Sequence, residues 1–131
     1  RRTNDNALHF TKVINETRYS WFLGLSATLE ANHIAFLNRK NCVIGGKVLF
    51  TGGTTSCVVE PRTIFREAIL FNATAIVMCH NHPSGDPHPS EEDKALTYRL
   101  ARSGEVLGIA LVDHIVLGGQ SFASFKQLGL L

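Results

Sequence analysis

The stretch His80-Asn81-His82-Pro83-Ser84-Gly85-Asp86-Pro87-His88-Pro89-Ser90-Glu91-Glu92-Asp93 constrains this chain more than any other. It follows Ala73-Thr74-Ala75-Ile76-Val77-Met78-Cys79, an apolar run with the length and β-branched content of a buried strand. If the chain stays extended past Cys79, His80 and His82 point to the same side, because side chains alternate along a strand. Pro83 favours this, since a residue before proline is pushed out of the helical region. Ser84-Gly85-Asp86-Pro87 then turns the chain. Ser90-x-x-Asp93 reads as a helix start with Asp93 in its first turn. Two imidazoles and a carboxylate can thereby converge from a strand end and a helix start.

Neutral imidazole nitrogens and a carboxylate oxygen suit Zn²⁺, and three protein ligands leave a fourth position for water. Such a site lowers the pKa of water from about 15.7 to about 7 and polarises a carbonyl, which is the equipment of a hydrolase. His80, His82 and Asp93 are therefore the candidate metal ligands. A general base has to come from elsewhere in the chain.

His-x-His-Pro, with Ser and Asp following in Ser90-x-x-Asp93, resembles the JAMM (MPN-type) metalloprotease motif. The longer pattern closely resembles the RadC family of bacteria. It comprises His80-Asn-His-Pro-Ser-Gly-Asp-Pro, Pro89-Ser90, Asp113-His114-Ile115, and the ending Ser124-Phe125 with Gly129-Leu130-Leu131. The resemblance runs from about Glu30 to Leu131. It implies an MPN/JAMM architecture related to the cytidine-deaminase fold, a mixed curved central sheet flanked by helices. It also implies a catalytic Glu on an early strand, and the family's spacing places that role on Glu30, eight residues before Asn38. Ser90 is implied as an oxyanion or water partner, although capping a helix would explain it equally well.

The 131 residues are one domain's worth. Residues 1–29 read as an N-terminal arm or linker helices, and residues 30–131 as the RadC-like domain. The first residue is Arg and the one Met is Met78, so a fragment or processed chain is expected. RadC-like proteins usually carry a helix–hairpin–helix module upstream, and nothing here resembles one. Acids and bases are intermixed with a net charge of +2, which gives no strong signal for nucleic acid. No run is long enough to span a bilayer and no signal peptide is visible, so no membrane role is expected. Cys42, Cys57 and Cys79 are odd in number and lack CxxC spacing, and read as reduced thiols in a cytoplasmic protein.

The element pattern predicts an α/β or α+β fold with a mixed sheet. Strands are expected over Glu30–Leu37, Cys42–Phe50, Thr54–Val59 and 73–79. A helix is expected from Pro61 to about Phe71, and another over 90–103, closed by Gly104. Val106–Val112 and His114–Leu117 read as two extended segments interrupted at Asp113, followed by a short helix over Phe122–Leu128.

Competing roles follow from position. Glu60 reads as a cap behind Pro61, and Glu67 as a helix-face charge. Asp86 and His88 read as solvent-exposed loop residues. Cys79 alternates away from His80. Asp113-His114 reads as a pair that either backs a metal ligand from behind or makes a buried polar contact between neighbouring strands, and is taken as structural. The Arg99/Arg102 face reads as solvated charge.

The resemblance implies a zinc-dependent hydrolase that cuts an amide or isopeptide bond in a peptide or protein substrate. The alternative is a non-catalytic accessory protein in DNA repair or recombination with a vestigial metal site. An HNH nuclease needs its three residues spread over a ββα element, and a zinc deaminase needs Pro-Cys-x-x-Cys. The chain offers neither.

Overall fold

The computed structural model describes residues 31–50, 59–119 and 121–131. Strands β1 (Ala31–Leu37) and β2 (Val43–Phe50) form an antiparallel pair. Helix α1 (Pro61–Leu70) leads into β3 (Ala75–Asn81), and helix α2 (Glu91–Leu107) into β4 (Ala110–Gly118) and β5 (Ser121–Ser124). The five strands form one mixed sheet in the order β2-β1-β3-β4-β5. Only β3 and β4 are parallel among these pairs, and they are joined through α2, as a parallel pair requires a crossover.

Alternation along the central strands feeds two cores. Ile34 and Phe36 of β1 and Ile76 and Met78 of β3 pack with Ile64, Phe65 and Ala68 of α1 and Leu100 of α2. The opposite parity, Ala31, Ala35, Leu37, Val77, Cys79, Ile115 and Leu117, forms the second cluster on the other face of the sheet. Cys79 thus points away from the helices, as alternation requires, and burial with the nearby Asp113 pushes its thiol up to about 12. Cys42 is also a free thiol, but an exposed one. Cys57 and the expected strand Thr54–Val59, apart from Val59, lie outside the described residues, as do Glu30 and the N-terminal arm.

Several expected boundaries are corrected. The strand after α1 runs to Asn81, so the chain does stay extended through His80. The second helix does not stop at Gly104 but continues to Leu107 and ends on Gly108 at φ 75°. Gly104 is a packing residue: the carbonyl of Ile109 passes where a Cβ would stand. The segment expected to be broken at Asp113 is one strand, with an irregularity in its pairing that skips Val112. The expected helix over Phe122–Leu128 is replaced by β5 and a turn. The i, i+3 spacing of Phe122, Phe125 and Leu128 imitates a helix, and pairing of β5 with β4 overrides it.

Glu60 occupies the N-cap of α1 without a side-chain capping bond, and its carboxylate instead lies 3.7 Å from Arg99. Glu67 reaches Lys47 of β2 at 3.4 Å. Among the described residues no helix is long and apolar enough to cross a membrane.

Candidate metal centre

The site forms where β3 ends and α2 begins. His80 is the sixth residue of β3 and shares the helix-facing parity of Ile76 and Met78. His82 lies just past the strand, yet its N–H still donates to the Leu117 carbonyl of β4 at 2.7 Å. That bond keeps the chain extended long enough for the second imidazole to return to the side of the first. Asp93 arrives from the first turn of α2, where a reciprocal capping box fixes it. The Ser90 hydroxyl accepts from the Asp93 N–H at 3.1 Å, and Asp93 Oδ2 accepts from the Ser90 N–H at 2.8 Å.

Three donor groups meet as a result. His80 Nε2 lies 3.0 Å from His82 Nε2 and 3.0 Å from Asp93 Oδ1, and His82 Nε2 lies 3.0 Å from Asp93 Oδ2. His82 Nδ1 is 2.9 Å from the carbonyl of Asp86. A carbonyl can only accept, so that nitrogen carries a proton, and in the neutral ring His82 Nε2 is the bare one. In the neutral ring that nitrogen offers a lone pair to a metal; with a proton on it, it donates to Asp93 instead. Burial disfavours the charged form of Asp93. Hydrogen bonding and charge from His80, with the bonds from Ser90, outweigh it and hold the carboxyl well below the usual carboxylate range. The spacing is close to the edges of about 3.3 Å in a tetrahedron whose metal bonds are about 2.0–2.1 Å. This group could hold a metal ion.

A protein-family model described as RadC-like JAB domain matches residues 11–130. The chain belongs to this family. Among curated relatives, the "UPF0758 protein" of Clostridium botulinum strain Alaska E43 is 49% identical over 102 residues, covering 78% of this chain and 44% of the relative. That of Clostridium kluyveri strain ATCC 8527 is 52% identical over 98 residues, covering 75% and 43%. A Bacillus licheniformis relative of the same name is 43% identical over 118 residues, covering 88% and 53%. The chain spans about half the length of the curated relatives it matches, or slightly less. Among the described residues, the five-stranded mixed sheet with two helices is consistent with the JAB/MPN fold of the RadC-like family.

The RadC-like pattern also contains Asp113-His114, and the structure divides the two expected roles between them. The two side chains leave β4 on opposite faces and do different things. Asp113 holds the segment after β4: it accepts from the Ser124 hydroxyl, from the N–H of Lys126 at 3.1 Å and from the N–H of His114 at 2.7 Å. Burial raises its pKa, and those three bonds oppose the rise. His114 is fully buried and its Nε2 lies 2.8 Å from His80 Nδ1. Burial and the neighbouring His80 push its pKa down to about 3, so the ring is neutral. Thr97 of α2 completes the contact from the far side. Nothing in residue spacing links position 114 to position 97. Only the β3–α2–β4 crossover brings them together.

The remaining candidates separate. Asp86 is exposed and its side chain bonds the N–H of His88 at 3.0 Å, while its carbonyl serves His82. His88 is exposed and outside the donor cluster. Ser90 is the helix cap. Glu30 lies outside the described residues. Its neighbour Ala31 opens β1 with its N–H bonded to Asn81 Oδ1 at 2.8 Å, and Asn32 pairs across from His80.

Proposed function

We propose that this chain is a zinc-dependent hydrolase domain that cuts an amide bond, of peptide or isopeptide type, in a peptide or protein substrate. The observation that supports it is the closure of two imidazole nitrogens and a carboxylate to 3.0 Å, with His82 Nδ1 held by the Asp86 carbonyl so that Nε2 faces the other two groups. His80, His82 and Asp93 would hold the ion. Zinc in such a three-ligand site supplies acidified water and polarises a carbonyl.

The chain's own residues supply the rest. Glu30 is the general base: it takes the proton of the attacking water and delivers it to the leaving nitrogen. One pairing among the described residues and one feature of the sequence support this assignment. β1 runs antiparallel to β3 with Asn32 opposite His80, and Glu30 has the sequence parity of Asn32, Ile34 and Phe36. Ser90 is exposed beside Asp93, and its hydroxyl is the second candidate partner for the substrate oxyanion.

Metal analysis of the purified chain tests the ion, because two His and one carboxylate also serve iron in other proteins. About one zinc per chain is expected. Glu30→Gln should keep that zinc and remove hydrolysis of a peptide library. A variant that hydrolyses as fast as the parent would remove Glu30 from the mechanism. Stoichiometric zinc with no cleavage of any peptide by the parent would favour the non-catalytic reading.

A further inference from the structure

The contact between His80 Nδ1 and His114 Nε2 at 2.8 Å is ambiguous by itself, since either ring can donate. The ambiguity is removed at its far end. His114 Nδ1 contacts Thr97 Oγ1, and that hydroxyl lies 2.8 Å from the backbone carbonyl of Asp93. A carbonyl only accepts, so the Thr97 hydroxyl donates to it and accepts from the N–H at His114 Nδ1. A neutral His114 with its proton there presents a bare Nε2 to His80. His80 must then donate from Nδ1, and in the neutral ring that a metal requires its Nε2 is left bare. This is the one arrangement in which all three contacts hold a proton. Reversing it would leave the Thr97 and Asp93 oxygens 2.8 Å apart with nothing between them. It would also put a proton on His80 Nε2, where a metal has to bind.

We infer that His114, held in one tautomer by Thr97, is a positioning residue that keeps His80 Nε2 free of its proton and aimed at the metal. The chain of contacts begins and ends on Asp93, whose carboxylate lies 3.0 Å from His80 Nε2 and whose carbonyl accepts from Thr97. It therefore ties β3, β4 and the first turn of α2 into one unit. The His114 ring is held rigidly: it is 0% exposed and stacked on Phe125 with centroids 4.6 Å apart and planes 12° from parallel. Outer partners of this kind fix ring orientation and ligand basicity in metal sites. The inference rests on the metal-binding part of the reading above and not on hydrolysis.

The test uses the whole chain as the parent and as Thr97→Val, Thr97→Ser and His114→Gln. Zinc affinity is measured by competition with a chelator, and the site is probed with the absorption spectrum of bound Co²⁺. Imidazole nitrogen–proton correlations in the zinc-loaded protein show where His80 carries its proton. Thr97→Val keeps the side-chain shape and removes the acceptor of His114. It should weaken zinc binding about 10- to 100-fold and alter the cobalt spectrum while circular dichroism is unchanged. Thr97→Ser should restore most of the affinity. His114→Gln offers His80 an amide oxygen and should fall between the parent and Thr97→Val.

Equal zinc affinity and spectra for the parent and Thr97→Val would overturn the inference, whatever happens to the melting temperature. So would a His80 proton found on Nε2, or a parent chain that takes up neither metal. A zinc-loaded parent that cleaves nothing, yet responds to Thr97→Val as expected, keeps the positioning role and sinks only the hydrolase reading.

Discussion

A side-chain carbon on Gly118 would lie 2.6 Å from the carbonyl carbon of Asp86, so the end of β4 and the loop after β3 meet backbone to backbone. The Asp86 carbonyl is also the acceptor that fixes the tautomer of His82. The space left by a missing side chain therefore sets the position of a candidate ligand. Gly118→Ala should push the loop outward, lengthen the His82 bond and weaken zinc binding about tenfold, with the sheet intact. Isothermal titration with zinc, beside circular dichroism, checks this. An unchanged affinity would mean that the loop shifts without moving His82.

His82 itself should be indispensable for the ion. It is the more accessible imidazole, and its neighbours give it no second role in the core. His82→Ala should abolish stoichiometric zinc and leave the fold in place. Full zinc content in that variant would refute the three-residue site.

Ser90 and Asp93 serve each other as well as the site. Ser90→Ala removes one half of the capping box and should lower stability by about 1 kcal/mol, measured by denaturant unfolding. The Asp93 carboxylate keeps its bond from the Ser90 backbone N–H in this variant, so zinc should remain. If hydrolysis also falls while zinc and fold persist, the hydroxyl acts on substrate in addition to capping.

The convergence of His80, His82 and Asp93 was legible because it depends on local rules alone: strand alternation, a proline and a helix start within one continuous stretch. Two parts of the neighbourhood were not legible. A role for Asp113-His114 behind the ligands was open in the sequence. That His114 is the one on His80, and that Thr97 joins it, depends on the pairing of β3 with β4, a long-range register that no spacing encodes. The helix expected near the C-terminus failed for a related reason. Phe122 and Phe125 have helical spacing, but Phe122 is exposed on β5 and Phe125 is buried on His114. Tertiary pairing divided residues that periodicity had grouped. Gly104 misled in the opposite way, since a glycine needed for close packing looks the same in sequence as one that stops a helix.

Removing the metal should leave the fold standing. Both apolar clusters form from strand and helix residues away from the three donors, so the sheet does not depend on an ion as a zinc finger does. Chelated protein should keep its far-ultraviolet circular dichroism and melt at a lower temperature than the zinc-loaded form, because a ligand that binds only the folded state stabilises it. Loss of most secondary structure on chelation would show that the site is structural.

The pH dependence of stability should show His33 separately from the metal site. His33 is buried on β1, paired across from Val48 and Cys79, on the sheet face opposite the helices. Burial lowers its pKa from 6.5 to about 4. The folded state therefore resists protonation that the unfolded chain accepts. The resulting stability is fully present above pH 6.5 and is lost as pH falls from 6.5 to about 4. The loss is on the order of 3 kcal/mol at one buried imidazole. His33→Gln has no such proton to exclude, so the parent should lose stability relative to the variant as pH falls across that window. His114, also pushed down by burial, contributes to the slope in both proteins and cancels in the difference. Urea unfolding at half-unit steps from pH 7.5 to pH 4 (about eight points per protein) measures it. Parallel curves for the two proteins would show that the His33 imidazole gains its proton as easily folded as unfolded.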